Sequence, residues 1–209
     1  GDDVTFTVSG SELAITSAGV LTFVSAPDYE TKATYTATVT ASDGTNSTTQ
    51  DITVNVTNVN DVAPEFTSDA AFSAAENQTA IGTVTATDAE GDDVAFTISG
   101  DELAITSAGV LTFVSAPDYE TKASYTATVT ASDGTNSTNQ DITVNVTNVN
   151  DNSPVITSSN EYSLEENTTA VGQATATDAD GDGIAFSITS ESDISIDNSS
   201  GVIYFNTAP

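Results

Sequence analysis

The side chains able to do chemistry in this sequence are almost all carboxylates. Its 209 residues carry 31 Asp and Glu against two Lys, Lys32 and Lys122, with no His and no Cys. The acids recur as short motifs: Ala75-Glu76-Asn77, Asp88-Ala89-Glu90, Pro117-Asp118-Tyr119-Glu120, Ala131-Ser132-Asp133 and Asn148-Val149-Asn150-Asp151-Asn152-Ser153-Pro154. Carboxylates interleaved with amides and turn carbonyls form an all-oxygen donor set. That set suits calcium, which takes roughly six to eight oxygens, better than magnesium, whose small octahedral shell keeps water. Without His or Cys there is no Ser-His or Cys-His nucleophile pair, no thiolate zinc site and no disulfide. A net charge of -29 leaves no basic footprint for nucleic acid or an anionic membrane surface. No apolar run approaches the ~20 residues that span a bilayer, and Gly1-Asp2-Asp3 is not the start of a signal peptide.

The elements that position these acids are strands. Tyr35, Ala37, Val39 and Ala41 alternate with Thr36, Thr38 and Thr40, and Ile52, Val54 and Val56 alternate with Thr53, Asn55 and Thr57. Period-2 patterning with many β-branched residues reads as half-buried strands, so the class is all-β, and hydrophobic content of 37% argues against a disordered acidic chain. Residues 1–60 and 91–150 align without a gap, differing only at Thr5/Ala95, Val8/Ile98, Ser11/Asp101, Thr34/Ser124 and Thr49/Asn139. The same offset pairs Glu76-Asn77 with Glu166-Asn167 and Asp88-Ala89 with Asp178-Ala179. A repeat of this length is a whole β-sandwich rather than a solenoid turn. Within 61–150 the pattern predicts seven strands, near 65–73, 80–87, 94–99, 103–106, 110–114, 124–131 and 139–148, separated by turn-forming residues. They close around Phe96, Leu103, Ile105, Leu111, Phe113, Tyr125 and Val129.

The domain organisation read from this is a partial repeat over 1–60, a complete one over 61–150 and a partial one over 151–209. The partial ends imply a window from a longer tandem array; the alternative is strand complementation between molecules.

The ordered set of motifs resembles the cadherin repeat, specifically the cadherin-like domains of large bacterial surface proteins, along the whole chain. The resemblance implies seven-stranded Greek-key sandwiches joined end to end as a rod, with calcium at each junction, roughly two to three ions per complete junction. Carried across by motif, the ligands at the second junction are Glu76, then Asp118 and Glu120 with Tyr119 where the family has Arg, then Asn150, Asp151 and Asn152 of the linker, and Asp178 and Asp180. At the first junction they are Asp28, Glu30, Asn60, Asp61, Asp88, Glu90 and Asp133, the counterpart of Glu76 falling before Gly1. This sequence departs from the family pattern at Asn58 and Asn148, where the linker begins with Asp, at Val62, where it ends with Asn, and at Glu90 in the Asp-x-Asp motif.

The six carboxylates of the second junction would balance three divalent ions, and without metal they repel one another across a short linker. Asp43, Asp92, Asp93 and Glu165 are expected to solvate the surface or serve an adjacent junction. Asp178 to Gly183 imitates the opening of an EF-hand loop, but its twelfth position is Thr189 and its flanks are strand-like. A glycosidase would need two carboxylates facing across a cleft, so no enzyme is expected.

Seven Asn-x-Ser/Thr sequons occur, at Asn46, Asn55, Asn77, Asn136, Asn145, Asn167 and Asn198, and the Thr rows read as the solvated face of strands. The expected function is a calcium-stiffened extension segment of an extracellular or cell-surface adhesin or fibre, whose partners are neighbouring repeats of its own chain, with homotypic or fibre contacts between chains. The alternative is a carbohydrate- or self-binding module. A glycan would stack on exposed aromatics, of which Tyr162 and Tyr204 are the candidates, and the absence of Trp rules out adhesion by a Trp-anchored exchanged strand.

Overall fold

The computed structural model describes residues 3–189 and 193–209, among which there are strands and turns and no helix. Gly1 and Asp2, at the start read above as no signal peptide, lie outside the described residues. In the first stretch the strands are β1 (Thr5–Val8), β2 (Leu13–Ile15), β3 (Leu21–Phe23), β4 (Thr34–Ser42) and β5 (Ser47–Asn55). The middle stretch adds β6 (Glu65–Phe66), β7 (Ala71–Ala75), β8 (Ala80–Thr83), β9 (Ala86–Thr87), β10 (Ala95–Ile98), β11 (Leu103–Ile105), β12 (Val110–Phe113), β13 (Ser124–Ser132) and β14 (Ser137–Thr147). The last holds β15 (Val155–Ile156), β16 (Ala170–Gln173), β17 (Ala176–Thr177), β18 (Ile194–Ile196) and β19 (Val202–Phe205). The all-β class expected from the alternation is the class observed.

In the middle stretch one sheet has the order β10-β13-β14-β7 and the other β11-β12-β8, with β6 paired to β9. The single strand expected near 65–73 is two: β6 pairs antiparallel with β9, and β7 crosses over to lie parallel to β14. The segment expected near 80–87 divides likewise at Val84, whose N–H leaves the ladder for the carbonyl of Gly109. Alternation says which face a residue takes, not which partner each half of a strand finds, so these divisions were invisible to it.

Eleven buried residues fill the space between the two sheets, with Leu111, Val84, Val129 and Val144 wholly enclosed. On the outer face Thr128 donates to Asp141 (2.7 Å) and Thr130 to Asn139 (2.7 Å), so cross-strand pairs also tie the solvated side. Gly109 has φ +86, and a Cβ there would press into the Val84 carbonyl oxygen. The same ladder recurs between β1, β4 and β5, with Phe6 opposite Ala41 as Phe96 is opposite Ala131. Of the five positions at which the two copies differ, four are exposed in both; only Val8 and Ile98 are half-buried.

Each copy also fixes its single Lys in the same way. Lys122 reaches Glu102 Oε2 at 2.7 Å and lies 4.4 Å from the Tyr125 ring centre; Lys32 reaches Glu12 Oε2 at 2.6 Å and lies 4.5 Å from that of Tyr35.

Candidate metal centres

Four strand ends converge on the second linker, residues 148–152. The parallel pairing of β7 with β14 lays Glu76 against the end of β14, where its N–H donates to Thr147 O (3.2 Å). Its side chain is only 3% exposed. A buried carboxylate is costly without donors, and Glu76 has two: Tyr119 N donates to Oε2 and Val149 N to Oε1, both at 2.7 Å. One side chain thus ties β7, the loop after β12 and the linker together. Asn77, in the left-handed region at φ 63, donates its N–H to Pro117 O and its side-chain amide to Asp151 Oδ2. From the far side, Asp180 Oδ2 accepts the N–H groups of Asp151 (3.2 Å) and Asn152 (2.8 Å).

The outcome is a group in which Glu76, Glu120, Asp151 and Asp180 each offer an oxygen within 4.8 Å of the others, and a second group of Asp178, Asp180 and Asp182. The electrostatics follow from this crowding. Loss of solvent raises the Glu120 carboxyl above the ordinary Glu range; its own backbone N–H opposes, but the charges of Glu76, Asp180 and Asp118 add to the rise. Desolvation also acts to raise Asp180, yet donation from the Asn152 side chain, from two linker N–H groups and from Glu120 outweighs it and holds Asp180 down. Glu120 thus binds a proton more readily than an ordinary Glu, and Asp180 less readily than an ordinary Asp.

At the first linker the corresponding groups are Glu30 with Asp61 and Glu90, and Asp88 with Glu90 and Asp92. Glu90 accepts Asp61 N at Oε1 (2.9 Å) and Val62 N at Oε2 (3.3 Å). Asp88 Oδ1 accepts Glu90 N (2.9 Å) and Asp92 N (3.2 Å), whereas Asp88 Oδ2 is buried without a hydrogen-bond partner. A buried carboxylate oxygen with no donor is one that an ion or a water can satisfy. With its all-oxygen surroundings, it makes the donor set fit a hard divalent cation. The Glu30 carboxyl is drawn down by its own N–H but raised overall by desolvation, Asp28 and Glu90.

Not every expected residue joins these groups. Asp118 and Asp28 each accept the hydroxyl of a Thr three residues on, at 2.9 Å, and shape their own turns. For Asp28, the bonds from Thr31 hold the carboxyl below the usual Asp range. Asp133 accepts Asn136 N at 2.6 Å and likewise caps its loop. Asn150 is exposed in the linker, and Asn60 donates to Asp92 Oδ2 at 2.9 Å.

Conversely, sequence reasoning gave Asp92 to the surface or an adjacent junction, named Asp182 only within the EF-hand look-alike, and assigned Asn136 and Asn77 no part in the linkers. Asn136 Nδ2 donates to Asn60 Oδ1 (2.6 Å), clasping the first linker to the loop before β14. The signal for Asp92 and Asp182 was available: each follows the leading Asp of its motif by four residues across a tight Gly turn, Gly91 and Gly181, that brings it back.

Comparison with known proteins gives one direction. No family model matches the chain. It is 34% identical over 169 residues to the Protocadherin-like wing polarity protein stan of Drosophila melanogaster, a match covering 69% of this chain and 5% of that protein. It is 33% identical over 189 residues to Cadherin EGF LAG seven-pass G-type receptor 2 of Mus musculus, covering 78% of this chain and 6% of the receptor. The chain therefore spans only a small part of the curated relatives' length. Among solved structures, repeats EC3-6 of protocadherin gammaB7, determined as a cis-dimer, superpose with a TM-score of 0.81 at 25% identity, covering 100% of this chain and 60% of that one. Repeats EC22-24 of mouse cadherin-23 superpose with a TM-score of 0.78 at 24% identity, covering 99% and 76%. Sandwich, sequence and repeat order agree, and the repeats of this chain are cadherin repeats.

Proposed function

We propose that the chain is a calcium-stiffened extension segment of an extracellular or cell-surface protein, divided into repeats at 1–60, 61–150 and 151–209. The observation that carries this reading is the burial of Glu76, which commits a carboxylate to the linker while its neighbours Glu120, Asp151 and Asp180 crowd the same point. Calcium there would be held by these four, with Asp178 and Asp182 beside them; at the first linker it would be held by Glu30, Asp61, Glu90, Asp88 and Asp92. The ion supplies the positive charge that lets carboxylates from two repeats share one site, so bending of the linker then costs coordination. Affinity in the weak extracellular range, ~10⁻⁴–10⁻³ M, would keep the rod compliant where calcium is scarce and stiff outside the cell. A second reading, lateral pairing of copies, draws on the cis-dimer of the protocadherin gammaB7 repeats.

Small-angle scattering of the chain during calcium titration tests both. The maximum dimension should lengthen and sharpen near millimolar calcium, and Asp151→Ala should remove the change at the second linker. A profile indifferent to calcium would overturn the rod, and a doubling of scattering mass would favour the lateral reading.

A further inference from the structure

Tension along the chain enters the complete repeat at one linker and leaves at the other, so the strands nearest those linkers carry it. They are β7 and β14, and they lie side by side. β7 runs parallel to β14 over five paired positions, from Ala71 beside Thr143 to Ala75 beside Thr147. The chain comes from the first linker through β6 and along β7 toward the second, and β14 runs the same way into residues 148–152. Pulling on the first linker therefore draws β7 backward along its own axis, while pulling on the second draws β14 forward. The backbone bonds of a parallel pair are evenly spaced between the strands. From Thr143 N to Ala70 O (2.9 Å) through Glu76 N to Thr147 O (3.2 Å) they lie across the direction of pull and are loaded together. β6 adds little, since only Glu65 and Phe66 pair with β9.

The pair cannot creep. Phe72 and Ala74 pack toward the core that holds Val144 and Val146, with exposed Ser73 between them. A slip of one residue would turn Ser73 inward and Phe72 and Ala74 outward, so β7 keeps its register until the whole set of bonds parts. We propose that the β7–β14 pair is a shear joint that makes the repeat a load-bearing element, transmitting tension between its linkers without metal. This goes beyond the calcium reading, which concerns bending at the linkers. Forced unfolding follows the unfolding rate rather than equilibrium stability, so the joint shows itself in rupture force.

Single-molecule pulling on the full chain in EDTA tests it, with handles on introduced Cys because the sequence has none of its own. Val62→Cys with Val149→Cys, exposed in the two linkers, slides the strands past each other; Gln78→Cys with Val149→Cys, exposed at one end of the pair, peels them apart. Peeling breaks the bonds in turn, so sliding should need roughly threefold more force. Equal forces in the two directions would overturn the joint. Val146 N donates to Ala123 O on the β13 side, so the alternating N–H of Asn145, whose side chain is exposed, faces β7. Asn145→Pro removes that donor and should lower the sliding force while leaving the peeling force as it was. A sliding force unmoved by this change would also overturn the joint; should the variant fail to fold, the comparison of directions decides. Millimolar calcium separates the joint from the linkers. Sliding that is the stronger direction in EDTA supports the joint whatever calcium adds, whereas resistance that appears only with calcium places the load on the linkers and removes it.

Discussion

The two linkers share much of their framework, and besides the buried Glu76, whose counterpart falls before Gly1, they differ where one acid is a methylene shorter. Glu90 spends both carboxylate oxygens on linker N–H groups, Oε1 on Asp61 and Oε2 on Val62. Asp180 holds the equivalent two N–H groups with Oδ2 alone, which leaves Oδ1 facing the shared centre and the Asn152 amide. The shorter arm anchors the backbone as well as the longer one and still contributes an oxygen. The two acids thus hold equivalent linker N–H groups with different numbers of oxygens.

The heaviest blow to this contrast is Glu76→Ala. It leaves the part-buried N–H groups of Tyr119 and Val149 without their acceptor, each a hydrogen bond to a charged group contributing about 1.5–3 kcal/mol, and removes one of four clustered oxygens. Amide exchange at those two positions should accelerate, and calcium affinity at the second linker should fall about tenfold or more while the first is untouched. Equal losses at both linkers would mean that they act as one unit.

Acidification is the next test. The Glu120 carboxyl lies above the ordinary Glu range, so it takes up a proton first as pH falls, whereas Asp180 keeps its charge to lower pH. Calcium requires the ionised form, so affinity at the second linker should decline as pH falls into and just above that range, with proton release on calcium addition as the readout. Glu120→Gln should abolish the release. In the metal-free chain the sign reverses: the raised group favours the folded state when protonated, and that contribution is lost as pH rises through its folded value.

The smallest effect should come from the lysines. Lys122→Met and Lys32→Met break half-exposed ion pairs that contribute about 0–1 kcal/mol, with a similar cation–π increment of about 0.5–1 kcal/mol. Thermal unfolding should shift slightly and equally for both variants. Unequal shifts would show that the ligand-bearing loops depend on this clamp to different degrees.

Much of this was legible from residues alone. Alternation around Tyr125 and Val129 assigned the inward face, and the 90-residue offset predicted that Phe6 would sit as Phe96 does. What escaped was pairing and reach. No periodicity tells that β7 leaves the partner of β6 for a parallel place beside β14, because the two halves read as one strand. Nor does spacing tell that Asp118 accepts the Thr121 hydroxyl while Asp92, four residues past Asp88, folds back toward it. Nor does the motif tell that the Asn152 amide nitrogen faces Glu120, Asp151 and Asp180 together.

Gly109 bears on the history of these copies. The two near-identical stretches have accumulated their differences chiefly at exposed positions, where a change of side chain disturbs little packing. At Gly109 that latitude ends, since any side chain would collide with the Val84 carbonyl and force the turn that β8 and β12 share to open. Gly201 stands under the same constraint against Ala174, in a stretch that has otherwise diverged widely. A change at an exposed strand position therefore costs the sandwich little, whereas one at this corner would force its two sheets apart.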